Sequence, residues 1–153
     1  MENYEINEET MAIIPVGYNK TLIKEVNDQY LINEKAYEIM ESSCEYYGSS
    51  YQGRVDASKK ILNSNYKVPV LVEDSESIVF FPTKSSLLED CCWINHNYID
   101  SYEKDDKTTK ITFKNKETIN FDISKLSLEN QISRSCKLEL ISRKRKISKK
   151  ENF

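Results

Sequence analysis

The sequence predicts one α+β domain, in which a mostly antiparallel sheet built from hairpins is combined with about three helices. The 153 residues are enough for a single domain with its own hydrophobic core. Short apolar, β-branched segments between turn residues indicate strands, and stretches with apolar residues every three or four positions indicate helices. We expect this domain to span residues 1–141, followed by a basic, flexible tail over residues 142–153.

Three strands are expected near the start of the chain. They are Thr10–Val16, Leu22–Val26 and Gln29–Ile32, and turn residues separate them at Gly17–Lys20 and Asn27–Asp28. The second break is only two residues long. It therefore predicts a tight hairpin between the last two of these strands.

Two helices follow, because after Asn33 the apolar period changes to three and four residues. Asn33 is expected to cap the first helix and Gly48 to end it. A second helix is expected after Arg54, reaching to about Asn63. The inward positions are Ala36, Ile39, Met40, Ser43, Cys44 and Tyr47 in the first helix and Val55, Ser58, Ile61 and Leu62 in the second.

The next part of the chain returns to the strand period. The expected strands are Val68–Val72, Ser77–Phe81, Cys92–Tyr102, Thr108–Phe113 and Thr118–Ile123. The last two form the clearest hairpin, since Ile111 and Phe113 alternate with polar neighbours and Asn115–Lys116 supplies the turn.

A last helix is expected, with Ser127 as its cap. It should carry an apolar stripe of roughly four turns at Leu128, Ile132, Cys136 and Leu140. From Arg143 onwards, six of eight residues are cationic. Such a run cannot form a packed element of its own, so it either extends the helix as a frayed end or is disordered.

Charge is distributed unevenly along the chain, although the formal net charge is only −3. Residues 1–50 hold 10 acidic and 3 basic side chains, whereas residues 111–153 hold 5 acidic and 11 basic ones. Contacts with phosphates depend on the local potential, so an acidic total is compatible with DNA binding. The basic end indicates a polyanionic partner.

The start of the chain and its hydropathy predict a cytoplasmic protein. The first residues are acidic and lack the basic and apolar regions of a signal peptide. No apolar run approaches the roughly 20 residues that a membrane-spanning helix needs. The four cysteines are expected to be reduced, and they lack the spacing of zinc ligands.

Catalysis is not predicted. His96, the only histidine, can pair with a cysteine such as Cys91, Cys92 or Cys44, but an ordinary strand residue whose ring hydrogen-bonds nearby is the interpretation we favour. The three glycines do not have the spacing of a phosphate-binding loop. We therefore expect no enzyme, no cofactor and no metal.

The segment from Tyr46 to Arg54 has an unusual composition. It combines tyrosines, glycines, hydroxyl side chains and an arginine within nine residues. The backbone N–H groups at the start of the second helix, with Ser49, Ser50 and Arg54, can hold a phosphate. The alternative is a turn between helices in which the tyrosines pack and the serines cap.

The basic end of the chain is the second candidate binding region. Its cations can neutralise backbone phosphates or reach into a groove of DNA, although a solvated, disordered end is an equally good interpretation. The candidate DNA-binding residues from both regions are Ser49, Ser50, Tyr51, Arg54, Lys59, Lys60, Arg134, Lys137, Arg143, Lys144, Arg145 and Lys146.

The segment Ser43–Arg54 resembles the ComK family of bacterial competence regulators. The matching pattern is a cysteine, two aromatic residues, Gly-Ser-Ser, an aromatic residue and Gly-Arg. Further similarities follow in the same order at Lys67–Pro69, Phe80–Ser86, Cys92–His96 and Glu129–Gln131. Five similarities in register are far more specific than any one alone.

The resemblance implies a cytoplasmic, nucleoid-associated transcriptional activator of DNA-uptake genes. It implies binding to paired A/T-rich boxes in double-stranded DNA, self-association on DNA and control by a protease adaptor, and it implies no membrane partner. Members of the family continue for several tens of residues beyond the position that matches Cys136, and adaptor recognition is expected near that end. A protein-interaction module, or a shortened paralogue that modulates a full-length regulator, is the alternative function.

Overall fold

A computed structural model describes residues 3–151, with side chains described as far as residue 147. It contains three α-helices and two antiparallel sheets, so the expected α+β class is confirmed. The helices are α1 (Ala36–Tyr46), α2 (Tyr51–Leu62) and α3 (Lys125–Glu151). None of the helices in the described part of the chain is both long and apolar enough to cross a bilayer.

The larger sheet has six strands, and all its neighbouring strands are antiparallel. The strands are β1 (Thr10–Gly17), β2 (Lys20–Glu25), β3 (Gln29–Ile32), β4 (Val70–Glu73), β5 (Ile78–Pro82) and β6 (Trp93–Asn95). Their spatial order is β3-β2-β1-β6-β5-β4. Strands β1 and β6 join the two three-stranded halves of this sheet, with Ala12 opposite Ile94 and Ile13 opposite Trp93.

The smaller sheet contains β7 (Ile99–Asp105), β8 (Thr108–Phe113) and β9 (Thr118–Phe121). The prediction of one strand over Cys92–Tyr102 is wrong, because a 3-10 turn at His96–Tyr98 divides it between the two sheets. The Asn95 side chain fixes this turn: its oxygen accepts from the Asn97 N–H at 3.1 Å, and its amide donates to the Thr10 carbonyl at 3.2 Å.

The six-stranded sheet is buried on both faces. Phe80 packs with Ile13, Trp93 and the apolar side of α1 in one core cluster. The next residue, Phe81, points the other way and packs with Phe113 of the small sheet and Leu128 of α3. Neighbouring residues of a strand point to opposite faces, so two consecutive phenylalanines serve two cores.

The boundaries of the first two helices differ in part from the prediction. Lys35, not Asn33, is the N-cap of α1, and it makes no side-chain capping bond. Helix α2 starts earlier than expected, at Tyr51, directly after the Ser50 cap. Asn63 ends α2 in the left-handed conformation, with φ of 50°.

Helix α3 differs from the prediction at both its start and its buried face. Ser124 precedes the helix and accepts the Ser127 N–H at 3.1 Å, so the expected cap at Ser127 is wrong. Cys136 and Leu140 are exposed, so the expected apolar stripe is also wrong beyond Ile132. The buried positions are Leu128, Gln131, Ser135, Leu138 and Ser142.

The reason for this difference is geometric. Residues four apart drift around a helix by about 40° per step, so a run of four such positions leaves the contact face. The buried positions instead alternate steps of three and four and remain on one side. Helix α3 runs unbroken through residues 142–151, and the domain boundary predicted at residue 141 stays a prediction. Residues 152–153 of the predicted tail lie outside the described residues.

Gln131 attaches α3 to the rest of the molecule. Its buried side-chain amide donates to the carbonyls of Lys67 and Pro82, each at 2.9 Å. Its side-chain oxygen accepts from the Arg134 guanidinium at 2.9 Å. The helix is therefore held by specific hydrogen bonds to the segment before β4 and to the end of β5.

Replacing Gln131 tests this attachment. Gln131→Ala leaves the buried Pro82 carbonyl without its partner, and we expect the free energy of unfolding to fall by about 1–3 kcal/mol. Asn130→Ala, at the exposed neighbouring position, serves as the control and is expected to change it by less than about 0.5 kcal/mol. Urea unfolding of both variants measures the difference, and equal stability of the two would contradict the role of Gln131.

Candidate nucleic-acid interface

The connection between α1 and α2 is built from a helix ending and a helix start. The Ser49 N–H donates to the Cys44 carbonyl at 3.0 Å, and the Gly48 N–H donates to the Glu45 carbonyl at 2.9 Å. This pair of bonds is the Schellman arrangement, which requires a left-handed residue directly after the helix cap. Gly48 supplies it, with φ of +84°.

Ser50 begins α2 as its N-cap. Its hydroxyl oxygen accepts the Gly53 N–H at 3.0 Å and satisfies one of the free donors of the first helical turn. A Cβ at position 53 would lie only 2.8 Å from that oxygen. A glycine at this position therefore allows the serine to cap.

Tyr51 lies inside the fold. Its ring is 8% exposed and meets the rings of Tyr37 and Trp93 edge-on, with centroids 5.1 and 6.1 Å away. Burial raises the pKa of Tyr51. Tyr51 therefore packs in the core and Ser50 caps α2. Of the four candidate residues in this segment, Ser49 and Arg54 have neither of these structural roles.

Arg54 faces the end of α3 across an open groove. This groove has a volume of about 480 Å³, and Arg54, Ser58, Arg145 and Lys146 are among its lining residues. We call it the α2–α3 groove. It brings together cations from two regions that are about ninety residues apart in the sequence.

Two buried polar atoms lie in the lining of the α2–α3 groove. Within the described residues, neither Arg54 Nε nor Ser58 Oγ has a hydrogen-bond partner. Ser58 was predicted only as an inward-facing residue of α2. Its position one helical turn after Arg54 is the sequence signal that could have placed it beside the candidate site.

The Arg134 guanidinium makes hydrogen bonds to other residues of the protein. Its guanidinium donates to the Tyr66 carbonyl at 2.6 Å, to Ser64 Oγ at 3.2 Å and to the Lys67 carbonyl at 3.2 Å. Burial lowers the pKa of its guanidinium. Arg134 therefore fixes the segment after α2, and its predicted role in binding DNA stays a prediction.

Two cations of α3 are paired with acids. Arg143 lies 2.9 Å from Glu139 on the preceding turn, and Lys146 lies 3.3 Å from Asp74 in the turn between β4 and β5. Lys146 also donates to the Asp74 backbone carbonyl. These contacts orient the two side chains toward the protein and reduce the positive charge that they present.

Three further candidate cations of α3 are exposed: Lys137, Lys144 and Arg145. Within the described residues, Lys137, Lys144 and Arg145 have no acidic partner. Lys137 and Lys144 are two helical turns apart, about 10 Å along the same face. Arg145, which lines the α2–α3 groove, follows Lys144 directly. Together they can neutralise several phosphates of one polyanion.

The two lysines near the end of α2 have different positions. Lys60 is exposed, whereas Lys59 is half-buried and lines a cavity on the other flank of the helix, with Gln52 and Val55. The predicted positive surface of Arg54, Lys59 and Lys60 is therefore divided by the helix. Lys59 does not line the α2–α3 groove.

His96 lies beside Cys136, which was not among its predicted cysteine partners. Its Nδ1 is 3.8 Å from Cys136 Sγ, and its Nε2 is 3.2 Å from Glu139 Oε2. Burial lowers the pKa of His96 and raises that of the Cys136 thiol. Both shifts favour the neutral forms, whereas the pKa of a cysteine nucleophile is usually lowered.

Burial also raises the pKa of the other three cysteines. All four are free, and burial raises the pKa of Cys44 to about 11. Among the described residues, no group of three histidine, cysteine or acidic side chains has the arrangement of a metal site.

Comparison with known proteins gives one family and one curated relative. The family model described as "ComK protein" matches residues 1–147. The protein named competence transcription factor from Bacillus subtilis (strain 168) is 33% identical over 141 residues. That alignment covers 88% of this chain and 72% of the relative. No solved structure matches the chain significantly.

A double-mutant cycle tests the cap at the start of α2. Ser50→Ala is expected to lower the free energy of unfolding by about 1 kcal/mol. Gly53→Ala gains about 1 kcal/mol of helix propensity but displaces the capping hydroxyl, so alone it should change little. In the Ser50→Ala background the same change should stabilise by about 1 kcal/mol. Urea unfolding gives all four values, and an equal effect of Gly53→Ala in both backgrounds would contradict the cap.

Proposed function

The chain belongs to the ComK family, and on that premise we propose that it is a transcriptional regulator of competence that binds DNA. We propose that it is an activator of DNA-uptake genes and that it recognises A/T-rich boxes in double-stranded DNA. It acts in the cytoplasm, in association with the nucleoid, and self-associates on DNA. Control by a protease adaptor is part of the same proposal, taken from the family resemblance.

One observation carries the choice of surface: the α2–α3 groove places Arg54 opposite Arg145, and the unpaired Lys144 is next to Arg145. The lining contains a single acid, Asp74, among the described residues, and Lys146 already pairs with it. The chain as a whole is acidic, so this concentration of cations is a local property of the fold.

The groups available suit the backbone and the minor groove of DNA. Exposed lysines on one face of α3 neutralise phosphates, which supports binding without regard to sequence. An arginine guanidinium is attracted to the narrow, strongly negative minor groove of A/T-rich DNA. We assign phosphate contacts to Lys137, Lys144 and Arg145 and a groove contact to Arg54.

The second candidate function is a protein-interaction module that modulates a longer regulator. A surface cavity lined by the acidic residues Glu8, Glu9, Glu73 and Glu76 favours it, because such a surface repels DNA and suits a basic protein partner. A module of this kind binds DNA weakly alone but changes the DNA complex of its partner. Binding of the purified chain to DNA separates the two functions.

The assignment of the α3 cations is tested by removing them together. For Lys137→Ala, Lys144→Ala and Arg145→Ala combined, we expect weaker binding to A/T-rich and G/C-rich duplexes alike. The slope of log affinity against log salt should become less negative by about three, because each lost phosphate contact removes about 0.9. Fluorescence anisotropy at several salt concentrations measures both quantities.

A matched control uses three exposed lysines elsewhere in the chain, Lys104, Lys107 and Lys116. Replacing them with alanine removes the same charge, but these lysines lie outside the proposed surface. We expect a small change of the salt slope. Equal effects of the two triple variants would show that net charge, not the α3 surface, determines binding.

Arg54 is expected to contribute to sequence preference. Arg54→Ala should weaken binding to an A/T-rich duplex by about 1–3 kcal/mol and reduce the difference between the A/T-rich and G/C-rich duplexes. Gln52→Ala, on the exposed side of α2, is the control. Anisotropy titrations with both duplexes give the preference, and its retention in Arg54→Ala would contradict a groove contact by this residue.

A further inference from the structure

A second groove lies along the flank of α2 that faces away from α3. It consists of two adjoining cavities of about 310 and 360 Å³. Both cavities are lined by Tyr37, Ser86, Leu87 and Trp93, so they share a wall. We call the combined feature the aromatic groove.

The rim of the aromatic groove is exposed and apolar. Leu87 is 90% exposed and Tyr18 is 79% exposed, although both are side chains that a folded protein usually covers at least in part. Tyr37, Tyr66 and Leu88 are also exposed and line the same two cavities. A rim of this kind marks a binding surface, because isolated apolar residues are common but clustered ones are not.

Unpaired cations surround this apolar rim. Lys35, Lys59 and Lys67 line the two cavities, and none of them has an acidic partner within the described residues. The ammonium groups of Lys35 and Lys67 lie 5.7 and 4.9 Å from the ring centres of Tyr18 and Tyr66. Glu89 is the single acid in the described lining, so the groove has a positive local charge.

We propose that the aromatic groove binds an acidic peptide segment of a partner protein. A bulky apolar side chain of that segment enters the cavity between Leu87 and Trp93. Its carboxylates lie against Lys35, Lys59 and Lys67, whose positive charge is complementary. Aromatic side chains are enriched in the energetically important part of protein interfaces, and complementary charges at the edge favour association with the correct partner.

A peptide suits the groove better than single-stranded nucleic acid, which also favours cations and aromatic rings. Bases need free ring faces on which to stack. Trp93 is only 2% exposed, and Tyr51 meets it edge-on, so the deep rings are already packed. At the rim, Tyr18 and Tyr66 are exposed, but the ammonium groups of Lys35 and Lys67 lie over their rings. Leu87 and Leu88 offer apolar contact without any ring face.

The aromatic groove and the proposed DNA surface lie on opposite flanks of one helix. Gln52, Val55 and Lys59 line the aromatic groove, whereas Arg54, Ser58 and Ile61 line the α2–α3 groove. The proposed partner can therefore bind while the other flank is occupied by DNA. This inference goes beyond the proposed DNA function and does not depend on it.

Trp93 provides the measurement, because it is the only tryptophan and lies in the shared wall. The full chain is titrated with a twelve-residue peptide that carries a central Phe-Leu pair between glutamates. The comparison ligands are the same peptide with lysines in place of glutamates, and a twelve-nucleotide thymidine strand. We expect saturable change of tryptophan emission with the acidic peptide, and at least about tenfold weaker binding of the lysine peptide.

Two variants locate the binding. Leu87→Glu changes a side chain that is 90% exposed, so the fold should tolerate it, and it is expected to weaken binding of the acidic peptide at least about tenfold. Leu126→Glu, at an exposed position on α3, is the matched control and should bind like the unchanged protein. DNA binding should be the same in all three proteins.

Several results would overturn the proposal. They are absence of binding up to millimolar acidic peptide, equal binding of the two peptides, an equal effect of both variants, and tighter binding of the thymidine strand. If the chain binds the peptide but not DNA, the proposed DNA-binding function is wrong and the peptide-binding site is supported. If the chain binds DNA but not the peptide, only the peptide-binding site is wrong.

Discussion

The attachment of α3 by Gln131 is the constraint on which the positive surface depends. One buried amide joins the carbonyls of Lys67 and Pro82, which belong to separate segments of the chain. Arg134 continues the attachment toward Tyr66. Because α3 is a continuous helix, fixing it at Gln131 also sets the position of Arg145 about four turns later. The opposition of Arg145 and Arg54 thus depends on hydrogen bonds that involve neither residue.

Local signals predicted much of the fold, and long-range contacts account for what they missed. The hairpin of β8 and β9 is confirmed because alternation and a turn are properties of neighbouring residues. The predicted strand is divided at His96 by a turn that depends on Asn95, whose side-chain amide donates to the Thr10 carbonyl, eighty-five positions away. The buried face of α3 was missed because Gln131, Ser135 and Ser142 are polar, so hydropathy alone points to the wrong side.

The candidate site was predicted as residue types, and the structure determines which of them come together. Arg54 and Arg145 were both candidates, but no periodicity relates them, and only the packing of α2 against α3 makes them neighbours. Arg143 and Lys146 belong to the same cationic run, yet Glu139 and Asp74 pair with them. A charge run in a sequence gives an upper limit on the cations available to a partner, because it does not show which are paired internally.

The loop that carries the strongest family resemblance positions helix α2 and need not contact DNA itself. Gly48 ends α1 in a left-handed conformation, and the Ser50 hydroxyl that caps α2 lies where a Cβ at position 53 would be in close contact with it. The same helix then directs Arg54 to one flank and Lys59 to the other. A substitution in this loop therefore alters both grooves through the direction and stability of α2. Loss of DNA binding in such a variant indicates direct contact only if the free energy of unfolding is unchanged.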